Sequence, residues 1–338
     1  MLRSEISRIK LSGTRLYMRL SLRVLRLLFF ISPWSRRRIS IGYLTKNPRH
    51  MDGLGAQLQR VIGVRGLAAY WGLSSWQPKI QKIAIHPLDG LDSDSSVAEY
   101  FQSVNVLIDG KVLKSEEKIH YLENPGFFAI LLVFLRTIVR RDHINLMLSL
   151  PFRFVDSLPD IYSLGAYNYR ERLKQHITLK KAPGIAIHHR WATGSGVIQP
   201  GQKVSRSVSL DRFKSVLERR FKTLIFDDLL LFTDAPSEAI RFVPDSKAQE
   251  SWTETAGFDF RGIDILGQSK QEIDLVFPDA SIVRGGNPLE TLANLSVAKT
   301  IVLSNSSFGY VAALLSSNSE VLIPKEFWHP PLKGWKTF

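Results

Sequence analysis

Short apolar runs that stop at polar or glycine-bearing clusters recur along the chain after residue 40, and stretches with helical spacing fill many of the gaps. The runs that read as strands are RISIGYL (38–44), KIAIHP (82–87), VNVLI (104–108), INLMLSL (144–150) and GIAIHH (184–189), followed by LLLFTDA (229–235), DILG (264–267), SIVRG (281–285), TIVLS (300–304) and EVLIP (320–324). They are four to seven residues long. AQLQRVIGVRGLAAYWGL (56–73), DRFKSVLERRF (211–221) and PLETLANLSVA (288–298) carry the helical period. Such alternation predicts an α/β fold with parallel sheets covered on both faces. No internal repeat or long low-complexity linker interrupts it. GFFAILLVFLRTIVRR (126–141) reads as a buried core helix, because its uninterrupted apolar run, 127–135, is too short to span a bilayer.

In TIVLSNSSFGYVAALL (300–315) a buried strand ends in Ser304-Asn305-Ser306-Ser307, and apolar residues then resume at helical spacing. Ser and Asn are N-cap residues, so the unit reads as strand, tight turn and helix N-terminus, with EVLIP as the next strand. A helix N-terminus beside the C-terminal end of a strand is a site for phosphate, because unpaired N–H groups and the positive end of the macrodipole meet there. An ordinary capped helix would leave the same pattern.

Before residue 40 the pattern changes. In TRLYMRLSLRVLRLLFFISPWSRRR (14–38), Arg15, Arg19, Arg23 and Arg26 are spaced four, four and three, which puts them on one helical face. Leucines and Phe29 fill much of the rest. The four arginines rule out a spanning helix. Two readings stand: a helix lying in a membrane interface, or one packing its apolar side on the protein's own core with the arginines outside.

Charge sharpens this division. The 338-residue chain carries +14, and residues 1–40 hold ten Arg or Lys against Glu5 alone. The excess is therefore concentrated in an N-terminal appendage, which argues against a nucleic-acid binder. There are no cysteines, so thiolate chemistry, disulfides and Cys-ligated metals are excluded. A cytoplasmic location, peripheral on the inner face of the membrane, fits both features.

Three stretches hold candidate chemistry. Gly53-Leu54-Gly55 follows a strand and opens a long helix, which permits a tight turn and close backbone approach. GIAIHHRWATGSG (184–196) runs a strand outward into His188, His189 and Arg190. Alternation places His188 and Arg190 on one face, and arginine's planar fork suits phosphate. The third is the strand–serine unit at 300–315, preceded by a strand ending in Thr233-Asp234. Asp-Ser-Asp at 92–94 lies in a polar run and reads as solvated.

In this order the stretches resemble the bacterial α-1,2-fucosyltransferases, glycosyltransferase family 11. Those enzymes carry a GLGNQ-like turn, a His-x-Arg-Arg-Gly-Asp-like segment, a strand ending in Ser/Thr-Asp-Asp, and Ser-Asn-Ser-Ser-Phe with a downstream Pro-Lys. Here the matching residues are Gly53-Leu54-Gly55-Ala56-Gln57, His188-His189-Arg190, Thr233-Asp234, and Ser304–Phe308 with IPKEFW (323–328). Ala56 stands in place of Asn, and Trp191-Ala192-Thr193 stand where Arg, Gly and Asp would follow.

The resemblance implies a GT-B-like fold of two Rossmann-type domains facing a cleft. The N-terminal extension would be 1–38, the acceptor-side domain 39–180 and the nucleotide-sugar domain 181–338. It implies GDP-fucose as donor substrate, with no further cofactor and no metal, and a glycan acceptor, lipid-linked in one version. Arg190, Glu290, Asn305, Ser306, Ser307 and Phe308 would serve the donor, and Gly53, Gly55 and Gln57 the acceptor side. His188, Asp234 and Asp52 are the candidates for the base. A non-catalytic sugar-nucleotide or glycan binder on the same scaffold is the alternative.

Overall fold

The computed structural model describes residues 2–44, 53–81, 83, 93–112, 118–123, 125–190, 195–199, 202–205, 208–221, 228–233 and 273–338. The chain is an α/β protein that divides into two compact units, each built on a parallel sheet. The first comprises 1–46, 57–81 and 101–169; the second comprises 47–56, 82–100 and 170–338.

The first unit begins with a long helix, α1 (Leu2–Ile31), and a single turn, α2 (Pro33–Arg36). Strand β1 (Ile39–Tyr43), helix α3 (Leu54–Trp71) and the short β2 (Ser74–Ser75) come next. Then come α4 (Asp94–Leu107), β3 (Ile119–Leu122), α5 (Phe127–Arg140), β4 (Ile144–Leu148), α6 (Phe152–Val155) and α7 (Asp160–Lys174). Residues 54–56 of α3, 94–100 of α4 and 170–174 of α7 count with the second unit. The strands lie in the order β2-β1-β4-β3, all parallel, with Ile39, Ile41, Leu146 and Leu148 buried.

The first unit corrects two expectations and settles a third. VNVLI is not a strand but the end of α4. Ser93 and Asp94 open that helix, and Tyr100, Val104, Leu107 and Ile108 are buried at helical spacing. An apolar run of five residues satisfies both periods, and the flanking residues decide. Helix α5 exists, but it is not a buried core helix: Ile130, Val133, Phe134 and Thr137 face inward while Phe128, Leu132, Leu135 and Val139 are exposed. Helix α1 seats Met18, Leu22, Leu25 and Phe29 in the first unit, so the core-packing reading holds for that face. KIAIHP, apart from Ile83, and DILG lie outside the described residues.

The second unit carries β5 (Ile185–His189), an antiparallel hairpin of β6 (Ser195–Gln199) and β7 (Gln202–Ser205), α8 (Leu210–Arg220) and β8 (Leu229–Thr233). It continues with β9 (Ser281–Arg284), α9 (Pro288–Ser296), β10 (Thr300–Leu303), α10 (Ser307–Leu315), β11 (Glu320–Ile323) and β12 (Lys336–Thr337). Its six-stranded parallel sheet runs β12-β11-β10-β5-β8-β9. One face packs on α8 through Ile185, Ile187, Phe213, Leu217, Leu231 and Val302.

The order of this sheet creates a break in its winding. From β5 the chain proceeds outward through β8 to β9, then returns to the other side of β5 as β10 and moves away through β11 to β12. The direction of winding reverses between β5 and β10. In doubly wound folds the crevice beyond the strand ends at such a switch point is where ligands bind.

The seating of α1 is testable. The Phe29 ring lies 5.2 Å from Phe134, edge to face, and 5.8 Å from Trp71. Phe29→Ala should cost about 3–5 kcal/mol of unfolding free energy. The neighbouring Phe30, 72% exposed, should tolerate Ala within about 0.5 kcal/mol. Denaturant melts of the two variants make the comparison.

Candidate functional site

The C-terminal ends of four adjacent strands form one edge of the second sheet. Register places Leu303 opposite His188, His189 opposite Thr233, and Thr233 opposite Arg284. Ser304, His188–Arg190, Thr233 and Arg284 thus share this edge, with β5 and β10 at its switch point.

One hydroxyl organises the switch point. Ser304 is fully buried, and its Oγ accepts the Arg190 backbone N–H at 3.1 Å. The same Oγ lies 3.1 Å from His188 Nδ1. The ladder continues beneath it, with the Ser304 N–H donating to the His188 carbonyl at 3.0 Å. Serine is therefore needed here for more than a turn: its hydroxyl ties the last residues of β5 to the end of β10.

Alternation sorts the two histidines. His189 faces α8, its ring edge-on to Phe213 at 6.1 Å and its Nδ1 3.0 Å from Thr233 Oγ1. That is a satisfied core position. His188 faces the start of α10, where its ring stacks on Phe308 with centroids 5.6 Å apart. Gly309 makes this possible, since a Cβ there would lie 3.0 Å from Nδ1. His188 and Arg190 are thus the pair at the switch point, and Arg190 is half-buried.

The start of α10 modifies the phosphate-site expectation. Ser306 is the N-cap and accepts the Phe308 N–H at 3.3 Å, while the Ser306 N–H donates to the Ser304 carbonyl at 2.8 Å. Those two donors are taken. Ser307 stands at the first helical position, where a helix offers its N–H outward rather than to its own backbone. It is the amide of this turn best suited to a ligand. Asn305 is buried. The helix is braced at its other end by Arg170 Nη2, which donates to the Leu314 carbonyl at 3.1 Å. IPKEFW covers its flank: Phe327 stacks on Tyr310 at 5.2 Å, and the Tyr310 hydroxyl donates to the Pro330 carbonyl at 2.8 Å.

Gly55 belongs to this second unit. A methyl group on it would stand 2.4 Å from Phe308 Cα and 2.5 Å from Phe308 N. The glycine-bearing turn is therefore a packing partner of the Ser-Asn-Ser-Ser-Phe turn, and glycine is required by that approach. Gly53 precedes it and is half-buried, while Gln57 is fully buried in the first unit.

Glu290 opens α9 after its Asn287 cap. Burial pushes His176 below the usual histidine pKa, and the nearby Glu290 carboxylate counters this. Asp234, Asp52 and Trp191-Ala192-Thr193 lie outside the described residues. Among the described residues no group of three His, Asp or Glu side chains could hold a metal ion.

Arg284 was missed by sequence reasoning. It closes β9 just before Gly285 and Gly286, both with positive φ (62° and 87°), and like Arg190 it stands at the C-terminal end of a strand. Burial pushes its guanidinium pKa down while Asp274 opposes the shift. The signal was SIVRGG itself, read as a strand but not for its terminal arginine.

No protein-family model matches the chain, and no curated protein matches it. Among solved structures, POFUT1 in complex with GDP is similar at 12% identity and TM-score 0.42, over 85% of this chain and 98% of that one. POFUT1 in complex with GDP-fucose is similar at 11% and 0.40, over 86% and 98%. The E. coli heptosyltransferase WaaC with ADP-2-deoxy-2-fluoro heptose is similar at 10% and 0.39, over 89% and 92%.

Two substitutions test the geometry. Ser304→Ala leaves the Arg190 N–H and His188 Nδ1 without their shared partner, and should cost about 1–3 kcal/mol. Gly55→Ala should cost about as much by overpacking against Phe308, and should shift the Phe308 amide resonance. An unchanged melting curve for Ser304→Ala would contradict the clasp.

Proposed function

We propose that the chain is a GT-B-type glycosyltransferase that binds a nucleotide-diphosphate sugar at the C-terminal edge of the second sheet. The observation that carries this reading is the convergence at the β5–β10 switch point of Arg190, His188 and the capped start of α10, locked by Ser304. That crevice is where an α/β sheet takes its ligand, and its groups are donors suited to phosphate.

The reaction follows from the groups. The bond from the sugar's anomeric carbon to the β-phosphate oxygen breaks, and its electron pair stays on the diphosphate. In this reading the growing negative charge is met by the Arg190 guanidinium and the Ser307 N–H, donors of the kind that stabilise a departing diphosphate. Arg284, two strands away, stands about 10 Å from Arg190 along the edge, a spacing that suits a second contact on the nucleotide. An acceptor hydroxyl forms the new bond on the opposite face and gives its proton to a base, with inversion.

His188 fits the donor side better than the base. With Ser304 Oγ accepting the Arg190 N–H, its own hydrogen is available to donate to Nδ1. The ring proton then sits on Nε2, which makes the imidazole a hydrogen-bond donor there rather than a base. This leaves Asp234 and Asp52 as the candidates for the base. The fucosyltransferase resemblance favours GDP-fucose as donor and a glycan hydroxyl, galactoside in type, as acceptor.

Titration calorimetry with GDP-fucose, GDP-mannose and UDP-galactose tests the reading. GDP-fucose should bind selectively, and Arg190→Ala should weaken it by at least about tenfold, the loss of a charge-assisted contact, while the melting temperature holds. Binding without turnover over any glycan acceptor would make the chain a binding protein on this scaffold. No binding of any sugar nucleotide would overturn the proposal.

A further inference from the structure

Helices α1 and α5 each carry a second apolar face that the first unit does not use. They pack on one another through Phe29 and Phe134. Away from its buried positions, α1 exposes Leu16, Leu20 and Leu27, and α5 exposes Phe128, Leu132 and Val139. These are large side chains more than half open to water, with Val139 at 79%. Exposed apolar faces of this size on two packed helices mark an interaction site.

The surroundings name the occupant. Residues 14–38 contain seven arginines and 127–141 contain three, with no carboxylate in either stretch. On α1, helical spacing sets Arg15, Arg23 and Arg26 between the core face and the outer leucines. Arg26 lies over the Tyr70 ring at 4.8 Å, and Arg38 over the half-exposed Trp34 at 4.3 Å. On α5, Arg136 and Arg140 flank the exposed apolar positions. Two copies of this surface placed together would bring arginines against arginines. A nucleic acid would leave the leucines in water. No described helix is long and apolar enough to cross a membrane.

We infer that the outer faces of α1 and α5 together bed in the interface of a membrane rich in anionic lipid. The apolar side chains enter the boundary of the acyl region, and the arginines meet the headgroups. Neither helix is a free tether. Each is fixed to the first unit by its inner face, so the chain docks as a folded surface. The inference is independent of the proposed reaction.

Co-sedimentation of the full chain with vesicles tests it. Phosphatidylcholine vesicles containing phosphatidylglycerol should bind the chain, vesicles of phosphatidylcholine alone much less, and added salt should weaken the binding. The pair Leu132→Gln and Val139→Gln, on α5, should lower binding by about tenfold, as should Leu20→Gln with Leu27→Gln on α1. All four positions are exposed, and circular dichroism melts check that the fold is kept. An α5 pair that binds like the parent would overturn the two-helix surface. So would equal binding to both vesicle types, no binding to either, or a dimer in light scattering that both pairs abolish.

Discussion

A parallel sheet that reverses its winding leaves two strand ends side by side with no chain between them. In this protein the reversal falls between β5 and β10, which pair along their length, and a single buried hydroxyl adds a side-chain tie where that pairing ends. Ser304 Oγ takes the Arg190 N–H and meets the His188 ring. The other placements depend on it. Arg190 leaves the strand at a fixed point and the His188 ring, turned toward α10 by strand alternation, is held in place, while Gly309 and Gly55 are small because the His188 ring and the Phe308 backbone occupy the space a side chain would need. A buried polar network of this kind is stable only when its members are satisfied, and that demand orders the edge before any ligand arrives.

The capped start of α10 shows how local chemistry and tertiary packing divide the work. Ser306 satisfies Phe308, and the Ser304 carbonyl satisfies Ser306. A reading that offers every amide from Asn305 to Phe308 to a phosphate is too generous, since the cap consumes part of what the helix N-terminus presents. What remains of the helix N-terminus is narrower: the Ser307 amide and the dipole.

Much of this was legible in the sequence, and the exceptions have physical reasons. The strand ending in Ser-Asn-Ser-Ser was readable because a cap is a local device, encoded in neighbouring residues. The sorting of His188 from His189 was readable because strands alternate. The pairing of β5 with β10 joins segments far apart in the chain and has no local signature, so Ser304 was seen as a turn residue and not as the partner of Arg190. Arg284 was overlooked for the same reason: its meaning depends on β9 lying beside β8. VNVLI misled because so short an apolar run fits either period, and α5 misled because an apolar helix with two different faces looks, in sequence, like a helix buried all round. In the fold that second face is open, as is the outer face of α1, and these are the two faces proposed to meet a membrane.

The proposed chemistry stands or falls on whether the β5–β10 switch point holds the diphosphate of a sugar nucleotide. Hydrogen–deuterium exchange of the free protein and of the protein saturated with GDP answers this, because it reports where the nucleotide lands without requiring the acceptor. Protection should concentrate in 188–190 and 304–309, with a second contribution at 284–286. Protection confined to the first unit, or none in either strand-end segment under saturating GDP, would contradict the assignment.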